Sequence, residues 1–366
     1  MIAKSVYLDW AATAPLAGAA IAAMTDAMTD LAAGRYANPS SQHAPGRTAR
    51  RALGNARAGL AAWAGVSPDD IIFTSGGTEA LALALGGADC SARVVGATEH
   101  AAVRLAAPDA AVAPVDANGV LRLDVLDAML ADTPAGALVA VAQANNETGV
   151  VQDIAAIAAV VHAHDGRLLV DAVQAAGKLP LPRAADFIAL SAHKLGGPMG
   201  VGALIVRCRD GFAAVRPGGG QESGYRGGTE NLPGILGFAA AVTAQNPDWT
   251  DRCAMLRQGL EGAVVSAGAH INGAGTTRLP TISSIHLPGI PAATQLMALD
   301  LAGIAVSQGS ACSSGTLKPS ETLIAMGLHA AAGESLRVSM GWNTTGADID
   351  RFLEAWMPLA ERRRAA

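Results

Sequence analysis

ALVAVAQANNETGVVQDIAAIAAVVHAHDGRLLVD, residues 137–171, is the stretch that decides the fold. It opens on the apolar, β-prone run Ala137-Leu138-Val139-Ala140-Val141 and closes on Leu168-Leu169-Val170. Between them Ile154, Ile157, Ala158 and Val161 recur at helical spacing behind Asp153, a residue suited to the N-cap position. The stretch is therefore one complete strand-helix-strand unit. Working outward, Ile71-Ile72-Phe73, Arg93-Val94-Val95, Phe187-Ile188-Ala189-Leu190 and Val201 to Val206 read as further strands among alanine-rich helical patterns. That alternation predicts an α/β fold with a mostly parallel sheet covered by helices on both faces. Such sheets take ligands at the carboxyl ends of their strands.

The 366 residues exceed a single ordinary core, so a large α/β domain with a smaller partner is expected. A shift in composition around Pro247-Asp248-Trp249 marks the division: residues 14–250 as the large domain, residues 1–13 and 251–366 as a smaller α+β domain. Apolar runs are interrupted well short of a membrane span, and no secretory leader is evident, so a cytoplasmic protein is expected. A net charge of -5 with no basic block beyond Arg362-Arg363-Arg364 argues against a nucleic-acid surface. Cys90, Cys208, Cys253 and Cys312 lack the paired spacing of a zinc or redox site, which predicts free thiols and no metal centre.

The chemistry-bearing residues gather at predicted strand ends. A pyridoxal-phosphate (PLP) site needs a lysine for the aldehyde, a carboxylate against the pyridine nitrogen and donors for the phosphate. The lysines are Lys4, Lys178, Lys194 and Lys318, and Lys194, after the strand Phe187–Leu190, is the best placed. Asp171 ends an apolar run, where a carboxylate needs a cation or good donors; an N-cap is the alternative. Gln174 lies on the same turn. Ser75-Gly76-Gly77-Thr78-Glu79 joins a strand to a helix, so free amides converge where a phosphate can sit, unless Thr78 simply caps the helix. His100 follows a strand at the same sheet edge, placed to stack on a ring. Arg337 interrupts an apolar run, as a carboxylate clamp or a buried ion pair. Cys312 lies in the small-residue loop Ser307-Gln308-Gly309-Ser310-Ala311-Cys312-Ser313-Ser314-Gly315, which leaves an accessible thiol, either reactive or merely incidental.

Taken in order, these segments resemble the NifS/IscS-like cysteine desulfurases of the class V aminotransferase family. The resemblance runs from about Tyr7 to Asn343 and includes Ala11-Ala12-Thr13, Glu99-His100, Asn145-Asn146-Glu147-Thr148-Gly149, Asp171-Ala172-Val173-Gln174, His193-Lys194, Gly228-Thr229-Glu230-Asn231 and Gly309-Ser310-Ala311-Cys312. It implies the fold-type-I architecture of PLP enzymes, with a seven-stranded sheet, and conversion of L-cysteine to L-alanine with Cys312 keeping the sulfur as a persulfide. Lys194 would carry PLP, Asp171 would meet its ring nitrogen, Asn146 and Gln174 its ring substituents, and His100 would stack on it. Gly77, Thr78, Ser191 and His193 would hold the phosphate, joined by Thr229 from the second subunit of a homodimer. Arg337, with Asn146, would bind the substrate. The sulfur would pass to an acceptor protein such as an iron-sulfur scaffold; selenocysteine lyase or another class V activity is the alternative. Trp10, Gly196, Met199, Gly227 and Glu321 depart from the family's usual pattern.

Overall fold

The structure is a computed structural model describing residues 5–244, 248–308 and 318–365, with side chains to residue 361. After a short strand β1 (Val6–Tyr7), seven strands form one sheet: β2 (Ile71–Thr74), β3 (Arg93–Gly96), β4 (Ala111–Ala113), β5 (Leu138–Ala142), β6 (Arg167–Asp171), β7 (Phe187–Ser191) and β8 (Gly202–Val206). Their order is β2-β8-β7-β6-β5-β3-β4. β8 runs against both neighbours. The other pairings are parallel. The expected mostly parallel seven-stranded sheet is present. β4 had no sequence signal, because Ala-Val-Ala at a sheet edge, with its first two residues exposed, carries neither length nor apolar contrast.

Side-chain alternation explains why these runs are strands buried on both faces. Val139, Val141, Leu168 and Val170 point into one core, with the helices Ala44–Ala64, Ile154–Ala163 and Leu232–Thr243. Leu138, Ala140 and Leu169 point into the opposite core, with the helix Gly77–Gly87. Two buried faces turn the expected apolar-polar alternation into continuous apolar runs. Each fully buried Leu or Val contributes about 1.5–3 kcal/mol. The helix Ile154–Ala163 begins as predicted, Asp153 accepting the amide of Ala156 at 3.0 Å.

A further core gathers Val6 and Leu8 with Cys253, Leu260, Ile285, Leu336, Phe352 and Trp356. Its strands are β9 (His270–Ile271), β10 (Ile282–His286), β11 (Ile304–Ala305) and β12 (Ser335–Ser339). β12, β10 and β9 form an antiparallel sheet. β1 pairs with β11 in parallel. The N-terminal segment thus packs with the C-terminal third, and it runs past the carboxyl edge of the large sheet on its way.

Candidate active site

Parallel β6 and β7 bring Asp171, Ser191, His193 and Lys194 out at one sheet edge. There they line a cavity of about 830 Å³. Lys194 Nζ donates to the carbonyls of Ala11 and Ala12 at 2.6 and 2.7 Å. The N-terminal segment is therefore what aims the amine. Burial, with Arg337 adding to it, pushes the ammonium down to about 8, against the pull of Asp9 and Asp171. The nucleophilic neutral amine is accordingly accessible at mildly alkaline pH. Burial and the Lys194 charge lower His193 to about 4, so its ring is neutral at pH 7. His193 Nδ1 lies 3.2 Å from Thr13 Oγ1.

Asp171 is 8% exposed. No helix follows it; its Oδ1 instead accepts the amide of Val173 at 2.9 Å, closing a tight turn. The N-cap alternative is therefore set aside. Past this turn the Lys178 ammonium donates to the Gln174 carbonyl at 2.8 Å. Gln174 spends one amide proton on the Ala11 carbonyl, at 2.9 Å. Its Oε1 is buried with no hydrogen-bond partner among the described residues.

The helix Gly77–Gly87 starts at Gly76, with φ +152°, and no side chain caps it. Thr78 is not the cap; it lies inside the first turn and lines the cavity with Gly76 and Gly77. A Cβ on Gly77 would stand 2.8 Å from Val173 Cγ2, so glycine is what permits the close approach of loop and turn. Glu79 accepts the Ser75 amide at 2.5 Å and pairs with Arg226, bracing the loop from behind. The result is a helix N-terminus with amides open to an anion.

His100 lines the cavity and caps the helix Ala101–Ala106, its Nδ1 accepting the Ala102 amide at 3.1 Å. Partial burial lowers its ring's proton affinity, with Asp171 opposing. Asn145 uses its side chain within its own turn and on Thr98, which leaves Asn146 as the one of the pair lining the cavity. Arg337 is 3% exposed and lines the cavity. It donates to Asp9 Oδ1 at 2.7 Å and to the Asn146 carbonyl at 2.9 Å. Of the two sequence readings the geometry shows the ion pair: Arg337 pairs with Asp9 at the wall of the cavity. Thr229 is exposed and does not line this cavity.

Cys312 lies outside the described residues, but the chain on either side of its segment is fixed at the cavity. Gln308 Nε2 donates to the Lys318 carbonyl at 3.2 Å. Lys318, Pro319, Glu321 and Thr322 line the cavity. Ser320 and Thr322 donate their hydroxyls to Glu147, a buried carboxyl whose pKa burial raises. Glu321 pairs with Arg104. Sequence reading missed Glu147, Glu99 and the two carbonyls on Lys194, although they lie inside the quoted segments.

Residues 6–352 match the family aminotransferase class-V. The chain belongs to the class V aminotransferase family. Among the chain's relatives, a cysteine desulfurase of Cereibacter sphaeroides is 39% identical, over 99% of this chain and 97% of its own length. A cysteine desulfurase of Archaeoglobus fulgidus is 34% identical, over 98% of both chains. A NifS-like protein from Rickettsia africae superposes with a TM-score of 0.88 at 31% identity, covering 98% of this chain and all of that one.

Two departures of the chain from the family pattern, Gly196 and Trp10, are explained by packing. A Cβ on Gly196, where φ is +80°, would meet Trp342 Cη2 at 2.6 Å. One on Gly341 would meet Trp10 Cε3 at 2.0 Å. Trp10 and Trp342 pack edge to face, with centroids 4.5 Å apart, in the space those glycines open behind Lys194. The family cofactor, PLP, fits the residues present: a buried carboxylate, a half-buried amine and an uncapped helix N-terminus face one cavity of ligand size.

Proposed function

We propose that this chain is a cysteine desulfurase that converts L-cysteine to L-alanine and collects the sulfur on Cys312. One observation carries the reading: Lys194 and Asp171 face the cavity that Lys318 also lines, and Lys318, which follows the Cys312 segment, is hydrogen-bonded to Gln308, which precedes it.

PLP, when bound, supplies the electron sink for cleavage at the β-carbon of an amino acid. Lys194 would hold the cofactor aldehyde and, once released by substrate, take the α-proton on Nζ. Asp171 would balance a protonated ring nitrogen, while Asn146 and Gln174 would orient the ring and His100 would cover it. The amides of Gly77 and Thr78, with Ser191 and His193, would donate to the phosphate. Arg337 is placed to bind the substrate carboxylate, sharing its guanidinium with Asp9. The Cys312 thiolate would attack the substrate sulfur: its S–S bond forms as the Cβ–S bond breaks, and protons complete alanine. In a homodimer, exposed Thr229 would reach the partner's site, and the persulfide would pass to an acceptor protein such as an iron-sulfur scaffold in the cytoplasm. Among the described residues no helix is long and apolar enough to cross a membrane. On this reading residues 14–250 are the cofactor domain and residues 1–13 and 251–366 the smaller one.

The test is incubation of the PLP-loaded protein with L-cysteine. With a thiol reductant present alanine should form in step with sulfide; without one, intact-mass analysis should find one added sulfur on the peptide containing Cys312. In Cys312→Ser the added sulfur should vanish while the bound cofactor's absorbance stays. Keto-acid-dependent amino transfer without desulfuration would overturn the reading.

A further inference from the structure

Glu99 leaves the end of β3 just before His100 and folds its side chain back beneath the sheet edge. It is 6% exposed and lines the cavity. The Ala142 amide donates to its carboxyl, and its Oε2 has no hydrogen-bond partner among the described residues. Gly96 makes the room, since a Cβ there would stand 2.6 Å from Glu99 Oε1. Ala142 ends β5 directly opposite Asp171 at the end of β6. The geometry therefore sets two buried carboxyls side by side at the floor of one cavity.

Both carboxyls are buried, and like charges at such a site push one proton affinity up. The surrounding charges decide which. Burial raises the Asp171 carboxyl as well, but the Val173 amide it accepts and the facing His100 and Lys194 all favour its anion. Glu99 faces Asp171, which opposes its ionisation, and Arg104, whose guanidinium is already paired with Glu321. Burial pushes the Glu99 carboxyl up to about 8, the Ala142 amide and Arg104 only partly opposing it.

We propose that Glu99 and Asp171 share one proton, held on Glu99, so that the floor presents a single negative charge, on Asp171, to a cationic ring nitrogen. Glu99 is then a positioning residue that acts through Asp171. The assignment of the ring nitrogen rests on the PLP reading above; the shared proton does not.

The test is the thermal stability of full-length wild type and Glu99→Gln from pH 5 to pH 9, with PLP bound and after its removal. A folded carboxyl near 8, against about 4.3 unfolded, makes the native state lose stability as pH rises through that window, by up to about tenfold in the unfolding equilibrium per pH unit. Glu99→Gln lacks this loss, so it should gain on wild type up to pH 8 and then level off, in both forms. A difference that is constant with pH, or one that shrinks as pH rises, would overturn the proposal. If the variant does not fold, infrared spectra of the protein carrying Glu147→Gln decide. Loss of a protonated-carboxyl band between pH 7 and pH 9 agrees with the shared proton, and an unchanged spectrum overturns it. A missing desulfurase activity would leave either result intact.

Discussion

Asp171 and Lys194 leave the sheet at the ends of β6 and β7, strands buried from Leu168 to Asp171 and from Phe187 to Ser191. Ser320 and Thr322, on the opposite wall, are held by one carboxyl, Glu147. Glu321 beside them is held by an exposed partner, Arg104. The floor is thus fixed by close-packed strands and the wall by a handful of polar contacts. A close-packed sheet has no near alternative arrangement, which suits groups that must meet a ring within fractions of an ångström. Side-chain clamps are individually weak and separable, which suits a wall whose neighbouring segment carries the proposed sulfur acceptor.

The sharpest way to break this contrast is at the floor. Lys194→Ala should lower desulfuration by about 10²–10⁴-fold while leaving the melting temperature close to wild type. In wild type, PLP attachment should accelerate as pH rises toward 8, where the amine loses its proton, and should level off above it, as read by cofactor absorbance. A flat pH profile would sever the amine from its buried setting. At the wall, Glu147→Ala strands the Ser320 and Thr322 hydroxyls and should cost about 1–3 kcal/mol of stability, measured by denaturant unfolding. Sulfur transfer to Cys312 should fall by up to about 10²-fold with PLP affinity unchanged. Equal losses in both would erase the distinction between floor and wall. The smallest effect belongs to Arg104→Gln: its ion pair is 37% and 63% exposed. It should change stability by about 0–1 kcal/mol, less at high salt.

What the sequence disclosed follows the same line. Residues 137–171 were readable because two-faced burial writes continuous apolar runs, and because Asp153 caps the helix from within its own segment. Asp171 and Lys194 stood out as polar residues closing such runs. β4 was silent for want of length and contrast. Contacts between distant segments were hidden: the carbonyls of Ala11 and Ala12 on Lys194, Asp9 on Arg337, Glu147 on Ser320. Glu99 was read only as the neighbour of His100, since its burial depends on an opening at Gly96 and an amide from β5. Cys312, read from its small-residue surroundings, falls outside the described residues, and the structure adds only that Gln308 and Lys318 on either side are hydrogen-bonded to each other.

The aromatic packing behind Lys194 has an optical consequence. Trp10, Trp249 and Trp342 surround the small cavity on the far side of that lysine and account for three of the chain's five tryptophans. Three of the five indoles therefore stand beside whatever chromophore the lysine carries, and energy transfer to it is expected to quench their emission. The protein has a built-in gauge of its own occupancy, readable without a label.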